Sequence, residues 1–140
     1  MEIILNQIIC IKRKKHIVVT PEELVRQKCI HWLMSKGIPL EYIEVEKSLS
    51  NWNPLSDERT DILIRHPQLD LSNGEFFALI ECKSEGARSQ LDMAFDQLHR
   101  YRQSISFEYG LVVGGDAMII YDVTQDWAIL SQLPNWDEYL

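Results

Sequence analysis

Residues 76–82 constrain this chain more than any other stretch: Phe76, Phe77, Ala78, Leu79 and Ile80 run without a polar break into Glu81 and Cys82. Seven residues behind a turn-rich loop at 67–74 suit a strand, and a run that is apolar on both alternating faces suits a strand buried on both. Such a strand lies inside a sheet, with other strands beside it and a covering layer on each face. The rest of the chain has to supply those layers.

Thr20, Pro21 and Glu23 announce a helix: a capping hydroxyl, a proline at the first helical position and a glutamate placed to close a capping box. Val25, Cys29, Trp32 and Leu33 form one stripe along it, and Gly37 with Pro39 ends it near Lys36. Strands are expected at 42–49 and 61–64, with a loop of turn formers at 51–56 between them. A second helix is expected over about 89–104, capped by Ser89 or Asp92, with Leu91, Phe95, Leu98 and Arg102 at helical spacing. Residues 111–113 and 117–123 flank Gly114, Gly115 and Asp116, the signal of a hairpin. Ahead of the first helix, 3–11 and 16–19 read as extended pieces around Lys12, Arg13, Lys14 and Lys15, so that 1–19 forms an N-terminal extension or hairpin. This order predicts an α/β (α+β) fold, a mixed β-sheet flanked by helices, with 1–140 as one domain.

Composition removes several functional classes. A net charge of −7, from 14 basic and 21 acidic residues, argues against a protein that coats nucleic acid through bulk electrostatics. It leaves room for a nuclease, whose centre is itself acidic and whose backbone contacts are local. Cys10, Cys29 and Cys82 are odd in number and widely spaced, which fits reduced thiols rather than a disulfide framework or a zinc site. His16, His31, His66 and His99 show no ligand spacing either. No apolar run reaches membrane-span length and no signal-peptide pattern is present, so the expectation is a cytoplasmic protein with no membrane partner.

The chemistry concentrates in Asp61, at the mouth of one strand, and Glu81, Cys82 and Lys83, at the end of the next. Consecutive strands are usually neighbours, so the two carboxylates can converge on one hard cation while Lys83 projects to the same face as Glu81. The Cys82 side chain points the other way, into the core, and its carbonyl is free to turn toward the metal. Phosphodiester hydrolysis needs this set: Mg²⁺ to neutralise the phosphate and acidify a water, acids to hold the ion, and a cation for the water or the transition state. A bare D…ExK pattern is weak by itself, because strand ends are commonly charged.

The surrounding sequence resembles the PD-(D/E)xK nuclease superfamily and, within it, the N-terminal nuclease domain of type I restriction enzyme R subunits. Residues 13–27, a basic lead-in followed by TPEExVRQ, look like that family's opening block. Residues 44–47 look like its VEK strand, 59–62 like its RxD block, and 79–83 (LIECK) like the block that carries the remaining catalytic positions. Residues 95–101 resemble its QxxxY helix, in which Gln97 and Tyr101 share a face one turn apart. At the last hairpin the chain departs from the family, with Gly114, Gly115 and Asp116 in place of a TNG-like turn.

The resemblance implies a restriction-endonuclease-like fold and a Mg²⁺-dependent DNA endonuclease, with Mn²⁺ able to substitute. It implies Asp61, Glu81 and the Cys82 carbonyl as metal ligands, Lys83 and Gln97 as catalytic groups, and a glutamate of the first helix as a further acid. Glu23 is favoured over Glu22 for that last role, although Glu23 also has a capping duty. Tyr101, Arg26, Arg102, Lys14 and Lys15 are the candidate substrate contacts. DNA is the expected partner, a homodimer is compatible with double-strand cutting, and a restriction-system or motor partner in trans is compatible with the lack of a phosphate-binding GxxxxGK(S/T) loop. The alternative is a nuclease-fold module that binds DNA or protein without cutting.

Overall fold

The computed structural model describes residues 3, 4 and 7–139, and among these no helix is long and apolar enough to cross a membrane. The expected N-terminal hairpin is a small three-stranded antiparallel sheet of β1 (Ile3–Ile4), β2 (Gln7–Ile9) and β3 (His16–Val18), in that order. Met1, Glu2, Leu5 and Asn6 of the expected extended piece lie outside the described residues. The turn between β2 and β3 is tied by Cys10 N–H to the Lys15 carbonyl at 2.9 Å and Lys14 N–H to the Cys10 carbonyl at 2.7 Å.

Helix α1 (Pro21–Ser35) starts where the capping chemistry put it, with the Thr20 hydroxyl accepting from Glu23 N–H at 3.1 Å. Val25, Cys29 and Leu33 are buried as the stripe predicts, and Gly37, at φ +91°, turns the chain out of the helix. A second row on the same helix, Glu23, Arg26 and Gln27, is also buried, which hydrophobic periodicity alone does not reveal.

The main sheet has six strands in the order β4 (Ile43–Val45), β5 (Ile62–Arg65), β6 (Glu75–Lys83), β7 (Ser106–Gly114), β8 (Ala117–Asp122) and β9 (Ala128–Leu130). All neighbouring pairs are antiparallel except β6 and β7, which run parallel. Helix α2 (Arg88–Tyr101) is the crossover that a parallel pair requires. The two helices cover opposite faces. Val25, Cys29, Ile30 and Leu33 of α1 pack with Phe77, Ile80 and Cys82, whereas Ala94, Leu98 and Tyr101 of α2 pack with Phe76, Leu79 and Val112. Strand β6 is therefore central and buried on both faces, and the mixed sheet with helices is an α+β arrangement consistent with a restriction-endonuclease-like domain.

Four boundaries differ from expectation. Strand β4 stops at Val45 rather than 49, because Glu46 turns into the left-handed region at φ +52°. Neither Ser89 nor Asp92 caps α2: the helix begins at Arg88 after Ala87, which contributes no side-chain cap, and ends at Tyr101. Strand β7 extends well before 111, since it is paired on both sides over most of its length. Strand β9 was not foreseen; it is three residues long and follows two left-handed residues, Asp126 and Trp127.

Candidate active site

Pairing between β5 and β6 sets Ile62 opposite Ile80 and Leu63 opposite Leu79. Extended by one position, that register faces Asp61 with Glu81 at the sheet end where β6 finishes. The two residues are laced together. Asp61 N–H donates to Glu81 Oε1 at 3.3 Å, and Cys82 N–H donates to Asp61 Oδ2 at 2.8 Å. Both residues are buried. Burial, followed by the charge of Asp61, pushes the Glu81 carboxyl well above its ordinary range.

Lys83, two residues on and half-buried, opposes that shift with its positive charge. Cys82 points into the core on the other face, as strand alternation requires, and its thiol is pushed up by its neighbour Cys29 and by burial. Glu22 lies within electrostatic reach of both Asp61 and Lys83; burial and the Asp61 charge raise its carboxyl, while Lys83 and Arg26 lower it. Glu23, on the next position of the same helix, is engaged by other side chains.

Glu23 instead belongs to an ion network behind the acids. It pairs with Arg13, with Arg26 Nη1 at 2.5 Å and with the Gln27 amide at 3.1 Å. Arg13 and Arg26 both reach Glu46 as well, at 2.9 and 3.2 Å. Arg26 Nη2 then donates to Asp61 Oδ1 at 2.7 Å, which connects the network to the site. Burial favours neutral Arg26, but the charges of Asp61 and Glu23 outweigh it, so the guanidinium stays charged.

Asp61 and Glu81, brought together by the paired strands, offer the hard oxygen donors that a divalent cation prefers. In kind, the donors fit Mg²⁺. Among the described residues no three His, Cys, Asp or Glu side chains converge as a closed coordination set.

Residues 21–135 match the family model for the type I restriction enzyme R protein N terminus. The chain belongs to that family. No curated protein and no solved structure gives a match. Membership in the R protein N-terminal family makes this a restriction-related, nuclease-like module, and the family match begins at Pro21, after the small N-terminal sheet.

Within this family framework the remaining expected residues separate. Tyr101 is a wall of the core rather than a surface contact: it is 2% exposed, and its hydroxyl donates to the Arg59 carbonyl at 3.2 Å. Burial and the nearby Glu81 charge hold that hydroxyl protonated far above its usual range. Arg26 is likewise buried among carboxylates and presents no free face to a substrate. Arg102 stands at the opposite end of the sheet, over the Phe107 ring at 5.8 Å and beside Glu75 and Ser106, where β6 and β7 begin. The length of β6, roughly 26 Å at ~3.3 Å per residue, separates it from Lys83.

Gln97 lines a shallow depression with Met93, Asp96 and Arg100, and its Oε1 is buried without a partner. Lys14 and Lys15 are exposed at the tip of the N-terminal turn, while Arg13 beside them folds inward. The larger clefts, of about 420 and 550 Å³, open at the Arg102 end, away from the acids. An extended polymer is served by an open sheet end, so cleft volume is a poor guide here. Sequence reasoning did not find Arg13, Gln27 or Glu46. Glu46 left no trace, because a polar residue is what strand alternation places after Val45.

Proposed function

We propose that this chain is a Mg²⁺-dependent DNA endonuclease module of a restriction system, working with a partner that supplies specificity or motion. The observation that carries the reading is Asp61 facing Glu81 across paired strands with Lys83 two residues further on. Asp61 and Glu81 would hold the ion, with the Cys82 carbonyl as a further oxygen donor. When bound, Mg²⁺ supplies charge to the scissile phosphate and lowers the pKa of water. Lys83 contributes a fixed positive charge that orients the attacking water and offsets charge developing on the phosphate. Glu22, not Glu23, is the helix acid in this reading, because it shares the field of Asp61 and Lys83. Gln97 brings an unpartnered amide oxygen along α2, and Lys14 and Lys15 offer backbone contacts from the N-terminal turn.

One observation favours a non-cutting DNA- or protein-binding module: both Asp61 oxygens already have internal donors. Incubating the full chain with supercoiled plasmid and Mg²⁺ or Mn²⁺ separates the two. Nicking or linearisation is expected, and Lys83→Ala should slow single-turnover cleavage by about 10² or more, on the order of 3 kcal/mol, with DNA binding much less affected. Lys83→Arg should also be impaired, since a planar fork does not occupy the point of an ammonium. Cleavage by Lys83→Ala at the wild-type rate would refute the mechanism, and no cleavage by wild type alongside intact DNA binding would support the module.

A further inference from the structure

Arg26 divides one guanidinium between two tasks. Nη1 is anchored on Glu23 and Glu46, at 2.5 and 3.2 Å, while Nη2 alone reaches Asp61 Oδ1, at 2.7 Å. The anchors are themselves braced by Arg13. Arg26 Nε–H is buried with no partner, so the group has an unspent donor in its present position. Two consequences follow from the geometry. Asp61 is held in place by a cation when no metal is bound, and Arg26 is able to leave Asp61 while keeping both of its own counter-charges. The contested atom is Oδ1, since Oδ2 is engaged by the Cys82 N–H.

We propose that Arg26 is an internal competitor for the divalent cation, a positioning residue that keeps the Asp61 carboxylate oriented and yields Oδ1 when the metal arrives. This rests on the reading of Asp61 and Glu81 as the metal-holding pair. The charge effect has a definite sign. Even after yielding Oδ1, a guanidinium still held by Glu23 and Glu46 at roughly 6 Å from a dication would repel it, and at the dielectric constant of water that is about a tenfold effect on affinity. Arg26 therefore weakens metal binding while strengthening the fold.

Calorimetric titration of Mn²⁺ into the full chain tests this without reference to cleavage. Arg26→Gln should bind Mn²⁺ about tenfold or more tightly than wild type, although its melting temperature in EDTA should fall, and Asp61→Ala should lose the site. Arg26→Lys, which keeps the charge, should stay near the wild-type affinity. If Arg26→Gln does not fold, Glu46→Gln serves with the opposite sign: removing one anchor leaves the guanidinium more committed to Asp61 and should weaken Mn²⁺ binding. Equal or weaker binding by a folded Arg26→Gln overturns the proposal, as does unchanged binding by Glu46→Gln where that variant replaces it. Wild-type binding that survives Asp61→Ala strikes instead at the metal-holding pair, and the proposal falls with it.

Discussion

At the scale of single residues the site behaves as a charge problem only partly solved by the protein itself. Asp61 has Arg26 and a backbone N–H, whereas Glu81 receives one long backbone bond from Asp61 and lies buried beside the Asp61 charge, with Lys83 only partly offsetting both. The sign of the pH dependence follows. Glu81 takes its proton more readily in the folded state than in the unfolded one, whose carboxyl sits near 4.5, so its contribution is fully present below that value and is lost as pH rises through the folded pKa. Without metal, the stability of wild type should fall faster above pH ~4.5 than that of Glu81→Gln. Denaturant melts of the two proteins across pH, in EDTA, give the difference directly; parallel curves would show that Glu81 carries no such penalty. Adding Mn²⁺ should recover stability in wild type only. That Asp61, Glu81 and Lys83 come together at one sheet end was legible because a strand register of period two is local. The partners of Arg26 and Tyr101 were not, since burial of a polar side chain depends on contacts made tens of residues away.

At the scale of elements, capping chemistry and apolar runs fixed α1, β6 and the last hairpin correctly, for each is written in a few adjacent residues. Strand β9 and the early end of β4 escaped because the chain turns through left-handed Trp127 and Glu46, residues that are not turn formers, with only Asp126 beside Trp127 as a signal. The Gly114, Gly115 and Asp116 turn holds a subtler lesson. Gly115 serves the backbone, at φ +57°, but a side chain at Gly114 would meet the Glu85 carbonyl at 2.2 Å. The turn thus packs against the loop that leaves Lys83, and the obstacle is backbone that does not swing aside. Gly114→Ala should cost about 2 kcal/mol by thermal or urea denaturation. Because the strain falls on the segment just after Lys83, cleavage should drop more than the lost stability explains; an Ala variant as stable as wild type would show that the loop yields freely.

At the scale of the whole molecule, a net charge of −7 and an acidic sheet end mean that the DNA contact of the proposed function would have to come from local basic points, of which the exposed Lys14 and Lys15 are candidates. Neutralising both should weaken DNA binding and flatten the plot of log affinity against log salt by up to about 2. The chemical step under saturating single-turnover conditions should be unchanged; an unaltered salt slope would remove this turn from the binding surface. The covering of the sheet by α1 has another outcome. Cys29 and Cys82 meet where that helix lies on β6, almost fully shielded, with the Cys82 thiol held protonated. A thiol reagent reaches them only when the helix lifts away. The native labelling rate of Cys82, followed by mass spectrometry, is thus a built-in clock for opening of the layer behind the acids. A bound metal that tightens Asp61 and Glu81 should slow that clock.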